Sequence, residues 1–289
     1  MLNNEFCMLS IIIVSYNSSS YLKDCIDSLL KYRPLFQFEI IVVDNASTDD
    51  SVHLVEKNYP FARLIINKRN MGFAAANNIA IRNSNSKYLL LINSDCEVYE
   101  NSIQAMVSYM EDNAGTGIVG PKIKNTDGSI QLSCRKFPSF FDAGMHTLLH
   151  NIAPDNRFSR RYKLAEIERS APVEVDWVSG SCILIRRKSL DDTGLMDERY
   201  FMYVEDTDLC FQMWKKGWKV IYNPYSEILH HIGGSTRSGE VSSSVRMQKS
   251  ALYFFWKNYK KTWRVLLLPL VLLLLGIRIF LTFIKNLLQ

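Results

Sequence analysis

Three carboxylates, Glu205, Asp206 and Asp208, lie within FMYVEDTDLC, between an aromatic run and a stretch with helical spacing. Leu209, Met213 and Trp214 carry that spacing onward, and Gly217 supplies a stop. Acids at a helix start cap exposed N–H groups and complement the helix dipole. Where a substrate hydroxyl must lose its proton, one of them can instead be the general base. A second set of polar residues follows strand-like runs: Ser15, Tyr16 and Asn17 after Leu9 to Val14, Asp44 and Asn45 after Glu39 to Val43, and Asn93, Ser94 and Asp95 after Tyr88 to Ile92. Asp44 could accept hydrogen bonds from a base or ribose, and Asp95 could offer oxygen to a hard cation such as Mg²⁺ or Mn²⁺. Taken alone, each is also ordinary turn chemistry, an Asx-turn or a cap in the case of Asp44.

The elements that must position these residues alternate. Leu9 to Val14 is a strand-like run, β-branched from Ile11 on, and Tyr21, Leu22, Cys25, Ile26, Leu29 and Leu30 mark one helical face. Glu39 to Val43 reads as a strand, Val52 to Asn58 as a short helix, Ala62 to Ile66 as a strand, Phe73 to Arg82 as a helix and Tyr88 to Ile92 as a strand. That order predicts an α/β fold with a mainly parallel sheet flanked by helices, its ligands beyond the carboxyl ends of the strands. At 289 residues and 47% hydrophobic, the chain can bury a full core, which excludes a disordered or fibrous protein. A net charge of +5 does not call for nucleic acid. The six cysteines are dispersed without metal-ligand spacing and read as reduced, mostly buried thiols of a cytosolic compartment. The early apolar run is short and lacks a basic lead and a small-residue cleavage site, so it reads as a strand rather than a signal peptide.

SIIIVSYN (Ser10 to Asn17), IIVVDNASTDDS (Ile40 to Ser51), NKRNMGFAAANNIAI (Asn67 to Ile81), YLLLINSD (Tyr88 to Asp95), VDWVSGSCILIRR (Val175 to Arg187), FMYVEDTDLC (Phe201 to Cys210) and HHIGGS (His230 to Ser235) form an ordered set. In that order they resemble inverting family 2 glycosyltransferases, and more narrowly the bacterial rhamnosyltransferase-like branch that builds O-antigen, capsule or cell-wall glycans. The resemblance implies a GT-A fold over residues 1–246, with a nucleotide-binding half to about 125 and an acceptor half beyond it. It implies that Ser15, Tyr16, Asn17, Asp44 and Asn45 hold the base and ribose of a sugar nucleotide. Asn70, Gly72, Phe73, Asn77 and Ser94 would line its ribose, diphosphate or sugar. NSD at Asn93 to Asp95 stands where the family has a metal-binding DxD, so Asn93 removes one carboxylate and leaves Asp95, with His231 or His230 as further ligands. Asp206 would be the base, Glu205 its neighbour in positioning the acceptor, and Asp208 an orienting group. Trp177, Ser179 and Gly180, at the start of the strand-like run Val178 to Ile185, would border the acceptor; a core tryptophan beside a bulge is the other reading of Trp177.

Residues 247–289 read as a basic and aromatic lead-in followed by a hydrophobic membrane-associated helix. The charge-free run Val265 to Ile277 is shorter than the ~20 residues of a spanning helix. Arg278 and Lys285 are seven residues apart, on similar helical faces, which fits a helix lying in the interface. Phe137, Pro138, Phe140 and Phe141, with the basic run Arg157 to Lys163, read either as an acceptor- or membrane-facing lobe or as a solvated insertion. The whole implies an enzyme at the cytoplasmic face of the inner membrane. It would move a sugar, with rhamnose from dTDP-rhamnose as the leading choice, onto a lipid-linked glycan. A UDP-sugar such as UDP-galactofuranose is the alternative donor, and a catalytically silent sugar-nucleotide-binding subunit the alternative class. The sequence is silent on oligomeric state.

Overall fold

The run of β-branched residues that opens the chain is buried along nearly its whole length as strand β1, Leu9–Ser15. The computed structural model describes residues 7–138, 156–165, 169–231, 240–270, 272–274 and 276–277. After β1 come α1 (Ser19–Lys31), β2 (Phe38–Asp44), α2 (Ser51–Asn58), β3 (Arg63–Ile66), α3 (Phe73–Arg82), β4 (Tyr88–Asn93), β5 (Cys96–Val98) and α4 (Ser102–Asp112). The second half holds β6 (Thr116–Lys124), β7 (Ile130–Gln131), β8 (Cys134–Arg135), α5 (Arg157–Tyr162), β9 (Val173–Glu174), β10 (Trp177–Val178), β11 (Cys182–Arg186), α6 (Arg187–Thr193), α7 (Glu205–Lys215), β12 (Lys219–His230) and α8 (Glu240–Tyr259).

The central sheet runs β3-β2-β1-β4-β11-β6-β12-β5, and β10 pairs with β8 in a separate small ribbon. Residues alternate between two cores across it. Ile11, Ile13, Val42, Leu90 and Leu184 face α1 and α4, whereas Ile12, Ile41, Leu91 and Ile183 face the layer of α3, α6 and α7. Both faces are covered, as the apolar runs require.

The sheet is mixed, which corrects the expected mainly parallel one. β1, β2, β3 and β4 are parallel neighbours, but β11 pairs antiparallel with both β4 and β6. β6 ends at the same edge as β4; the chain later pairs as β9 with the first part of β12, then climbs through β10 to the Gly180 bend, where Ser181 accepts the Asn93 amide at the β4 edge. β11 must therefore run down while its neighbours run up. The predicted run Val178 to Ile185 is also broken: Trp177–Val178 belongs to the ribbon, Cys182–Arg186 to the sheet, and Gly180 lies in the bend between. Gly217 does lie past the end of α7, in the left-handed conformation.

α8 straps the second half together. Its Phe254 is fully buried against Tyr200, Phe211 and Tyr259, and Ser250 Oγ donates to the Met202 carbonyl. Lys257 Nζ lies 2.5 Å from Asp208 Oδ2 on α7 and 2.8 Å from Asp197 Oδ2. Burial pushes the Asp197 carboxyl up, but hydrogen bonds from Arg199 and Lys257 outweigh it and hold Asp197 well below the usual carboxylate range. Among the described residues, no helix is long and apolar enough to cross a membrane. Past α8, a 3₁₀ turn at Trp263–Leu267 leaves Trp263, Leu266 and Leu270 exposed. Phe140, Phe141, Arg278 and Lys285 lie outside the described residues.

Lys257→Met keeps the volume of the side-chain stem but removes the cation shared by the two acids, leaving buried Asp208 without one while Arg199 still holds Asp197. Breaking a buried pair in this way costs about 3 kcal/mol or more. Thermal unfolding should show the midpoint falling by roughly 6 °C or more.

Candidate active site

β1, β2, β4, β6 and β12 all end at one edge of the sheet, and the reversed β11 begins there. Ser15 stands opposite Asp44, and Val14 opposite Asn93. Asp44 is 2% exposed; Oδ2 accepts the Ser47 amide at 3.0 Å in an Asx-turn, while Oδ1 is buried with no hydrogen-bond partner. A buried carboxylate oxygen left open at a strand end is suited to an incoming N–H or O–H. Tyr16 is exposed beside it. Asn17, in the left-handed conformation, accepts the Thr48 amide at 2.7 Å and so closes this turn, and Ser15 shares a hydrogen bond with Ser18.

Asn45 is a fixed hub. Its Nδ2 donates to Asn70 Oδ1 and the Gly72 carbonyl, and its Oδ1 accepts from Asn67 Nδ2 and the Met71 amide. This ties the end of β2 to the turn before α3. Gly72 has φ +83°, and an added Cβ would fall on the Phe201 carbonyl oxygen. The close approach that glycine permits here is therefore to protein backbone, sealed by the Phe73 amide donating to that carbonyl at 2.8 Å. Asn77 is buried and donates to the Phe73 carbonyl within α3.

Asn93, Ser94 and Asp95 carry the chain from β4 across the edge. The Asn93 amide donates to the Ser181 carbonyl, and the His231 amide to the Asp95 carbonyl. Asp95 and Ser94 are buried, and His230 Nε2 lies 3.4 Å from Asp95 Oδ1. Ligand atoms of Asp95, Cys96 and His230 lie within 4.8 Å of one another, a donor set that fits a divalent cation. His231 turns instead to Glu97 Oε1, at 2.8 Å, and packs on Tyr21.

The opening acids take three different places. Val204, at the N-cap position of α7, has φ +70° and Tyr203 φ +72°, so two non-glycine residues in the left-handed region swing the chain into the helix. The N-cap residue Val204 offers no side-chain cap. Asp206 is half-buried, with Oδ2 accepting the Gly180 amide at 2.8 Å and Oδ1 the Thr207 amide at 2.6 Å. Burial raises its pKa, against the pull of those amides and of the Arg135 cation. Glu205 is 6% exposed with Oε2 unpartnered, and burial, then the adjacent Asp206 charge, push its carboxyl well up. Asp208 is buried and held by Lys257, Asn258 and Gln212.

Trp177 is 7% exposed and donates Nε1 to the Lys136 carbonyl; Ser179 shares a hydrogen bond with Ser181 beside Gly180. Sequence reasoning missed Arg135, which lies against the Trp177 ring, and Lys257, which holds Asp208. Both sit outside any strand-end or acidic motif, so only the fold shows them.

Residues 10–194 match the family described as glycosyl transferase family 2. The chain is 32% identical over 270 residues to the N-acetylglucosaminyl-diphospho-decaprenol L-rhamnosyltransferase of Mycobacterium tuberculosis, covering 89% of this chain and 87% of that one. It is 27% identical over 240 residues to rhamnosyltransferase WbbL of Escherichia coli, covering 80% and 86%. In fold it is similar to GalNAc-T7, solved with UDP, GalNAc and Mn²⁺, at TM-score 0.63 and 17% identity, covering 89% of this chain and 50% of that structure. The chain thus spans half the length of that structure, and the shared part is a GT-A-like α/β fold with a mixed sheet.

The Glu205 environment has a stability consequence. The unfolded chain loses this proton near pH 4.5, and the folded chain holds it to higher pH. The folded state binds more protons in between, so the contribution is full below pH 4.5 and is lost as pH rises through the raised value. Glu205→Gln should raise the melting temperature at pH 8 by roughly 2 °C or more, and the two unfolding curves should converge near pH 4.

Proposed function

The chain belongs to glycosyl transferase family 2, and on that premise we propose that it moves rhamnose from dTDP-rhamnose, with inversion, onto a sugar carried by a polyprenyl diphosphate. The observation that carries this reading is Asp206, presented at the helix start by the Gly180 amide, on the sheet edge that also holds Asp44 and Asp95. Rhamnosyltransferase relatives support the donor sugar, and the name of the mycobacterial one supports a diphospholipid acceptor.

In the reaction an acceptor hydroxyl attacks the anomeric carbon while its proton passes to Asp206. The bond from that carbon to the diphosphate oxygen breaks, and the electron pair leaves with the diphosphate. Burial raises the Asp206 pKa, which suits a proton acceptor, while two amides and Arg135 favour its carboxylate and limit that rise. Glu205, buried and without those donors, favours its neutral acid and orients the acceptor side. Asp44 receives donors from base or ribose at its open Oδ1, with Tyr16 beside the base; Asn45, Asn70 and Gly72 fix the wall behind them. Ser179 and Gly180 border the acceptor. Asp95 and His230 would hold a divalent cation, Mg²⁺ or Mn²⁺, which when bound neutralises charge on the leaving diphosphate.

The tail suits attachment at the cytoplasmic face of the inner membrane. Trp256, Trp263, Leu266 and Leu270 are exposed, interleaved with exposed Lys260, Lys261 and Arg264. Aromatic and basic side chains in this mixture favour a headgroup boundary.

Asp206→Asn should keep sugar-nucleotide binding and lose ~10²–10⁴ in turnover. Near-normal turnover would remove Asp206 as base. A thermal-shift panel of dTDP-, UDP- and GDP-sugars, with Mg²⁺, Mn²⁺ or EDTA, should single out the dTDP-sugar with metal, since a ligand of the folded state raises its stability by mass action. For the membrane, the full chain should float with anionic vesicles and a chain lacking Val265 to Gln289 should not. If both stay in the soluble fraction, attachment through this tail is wrong.

A further inference from the structure

Arg135 differs from the arginines at the far end of β11. It sits on β8 opposite Trp177, half-buried, with its guanidinium carbon 5.2 Å from the centre of the Trp177 ring and 5.8 Å from that of Tyr162. Its Nε is buried without a partner, and among the described residues its guanidinium makes no hydrogen bond or ion pair. Arg186 and Arg187, by contrast, spend their donors on carbonyl and hydroxyl oxygens. Two rings flank the Arg135 guanidinium, yet its buried Nε donor is left without an acceptor. A buried donor that stays open in a folded protein calls for a partner from outside.

The chemistry of that partner follows from the group. A planar cation with five donors, pre-oriented by aromatic faces, matches the oxygens of a phosphate. Two phosphates could come near: that of the sugar nucleotide and that of the lipid-linked acceptor. Displacement with inversion puts the base and the leaving diphosphate on opposite faces of the donor sugar. Arg135 is on the base's side, close enough to lower the Asp206 pKa, and its strand partner Trp177 leads directly into the Gly180 bend that holds Asp206.

We propose that Arg135 binds the diphosphate of the lipid-linked acceptor and so selects sugars carried on a diphosphate over neutral glycans. This rests on the reading of the chain as a transferase to a polyprenyl diphosphate sugar. When the sugar next to the diphosphate is the one attacked, a single ring separates base from phosphate, which agrees with Arg135 lying near Asp206. The phosphate would supply the acceptor oxygens that the guanidinium lacks.

The test compares two acceptors, N-acetylglucosamine on a short-chain lipid diphosphate and the same sugar as a neutral alkyl glycoside, with wild type, Arg135→Gln and Arg135→Lys. Wild type should prefer the diphosphate acceptor in kcat/KM, and Arg135→Gln should cut that preference about 10- to 100-fold, mostly through KM. Arg135→Lys, which keeps the charge, should restore part of it. Donor affinity by calorimetry should stay within about twofold across the three proteins. Equal losses on both acceptors would overturn the proposal and make Arg135 a support for Asp206; weaker donor binding would overturn it by assigning the residue to the nucleotide. Melting temperatures identify a variant that fails to fold, and if Arg135→Gln does, Arg135→Lys decides, with a smaller fall in the same preference required. Should wild type itself transfer only to the neutral glycoside, the acceptor reading fails, separately from any effect of the variants.

Discussion

A hydrogen bond from the Gly180 amide to Asp206 Oδ2 ties the acid to the bend that enters β11. It fixes one carboxylate oxygen at the sheet edge and needs the β11 entry to approach that edge from above. The fit leaves little space: a Cβ added to Gly180 would meet Asp206 Cβ at 3.1 Å. The next residue, Ser181, accepts the Asn93 amide. One short bend thus contacts both the helix carrying the acid and the segment leading to Asp95. Had β11 run parallel to its neighbours, its first residues would lie at the far edge.

The same geometry separates the roles of three neighbouring acids by environment rather than by type. Asp206 meets two amides and a cation, Glu205 is buried with one oxygen unpartnered, and Asp208 meets a lysine and two side-chain amides. A burial cost that makes Glu205 a poor anion is tolerated where function draws on it, and the left-handed Tyr203 and Val204 add backbone strain at the same place. α8 offsets that strain by gripping the segment from outside, through Ser250, Phe254 and Lys257.

Much of this was legible in the residues. β1 and β2 declare themselves by β-branched runs and β4 by its unbroken apolar one, and the polar residues after them lie at one edge because parallel strands must end together. The direction of β11 was not legible, since antiparallel and parallel strands buried on both faces carry the same apolar pattern. Gly72 could be read as a close approach, but its partner, the Phe201 carbonyl, lies far along the chain. The resemblance makes Asn45 and Asn77 ligand contacts; Asn45 spends its amide on the turn before α3, which only the fold shows, while Asn77 donates within its own helix. Arg135 and Lys257 carry no local signature, because what marks each is the company it keeps in space.

The strap formed by α8 has a practical side. Because Lys257, Asn258 and Tyr259 at its end reach α7 and its aromatic cluster, a shortened version made for crystallisation or soluble expression has to stop beyond Tyr259. A protease cut a few residues earlier would loosen α7 from a distance, and loss of activity in a trimmed sample would not by itself incriminate the hydrophobic tail.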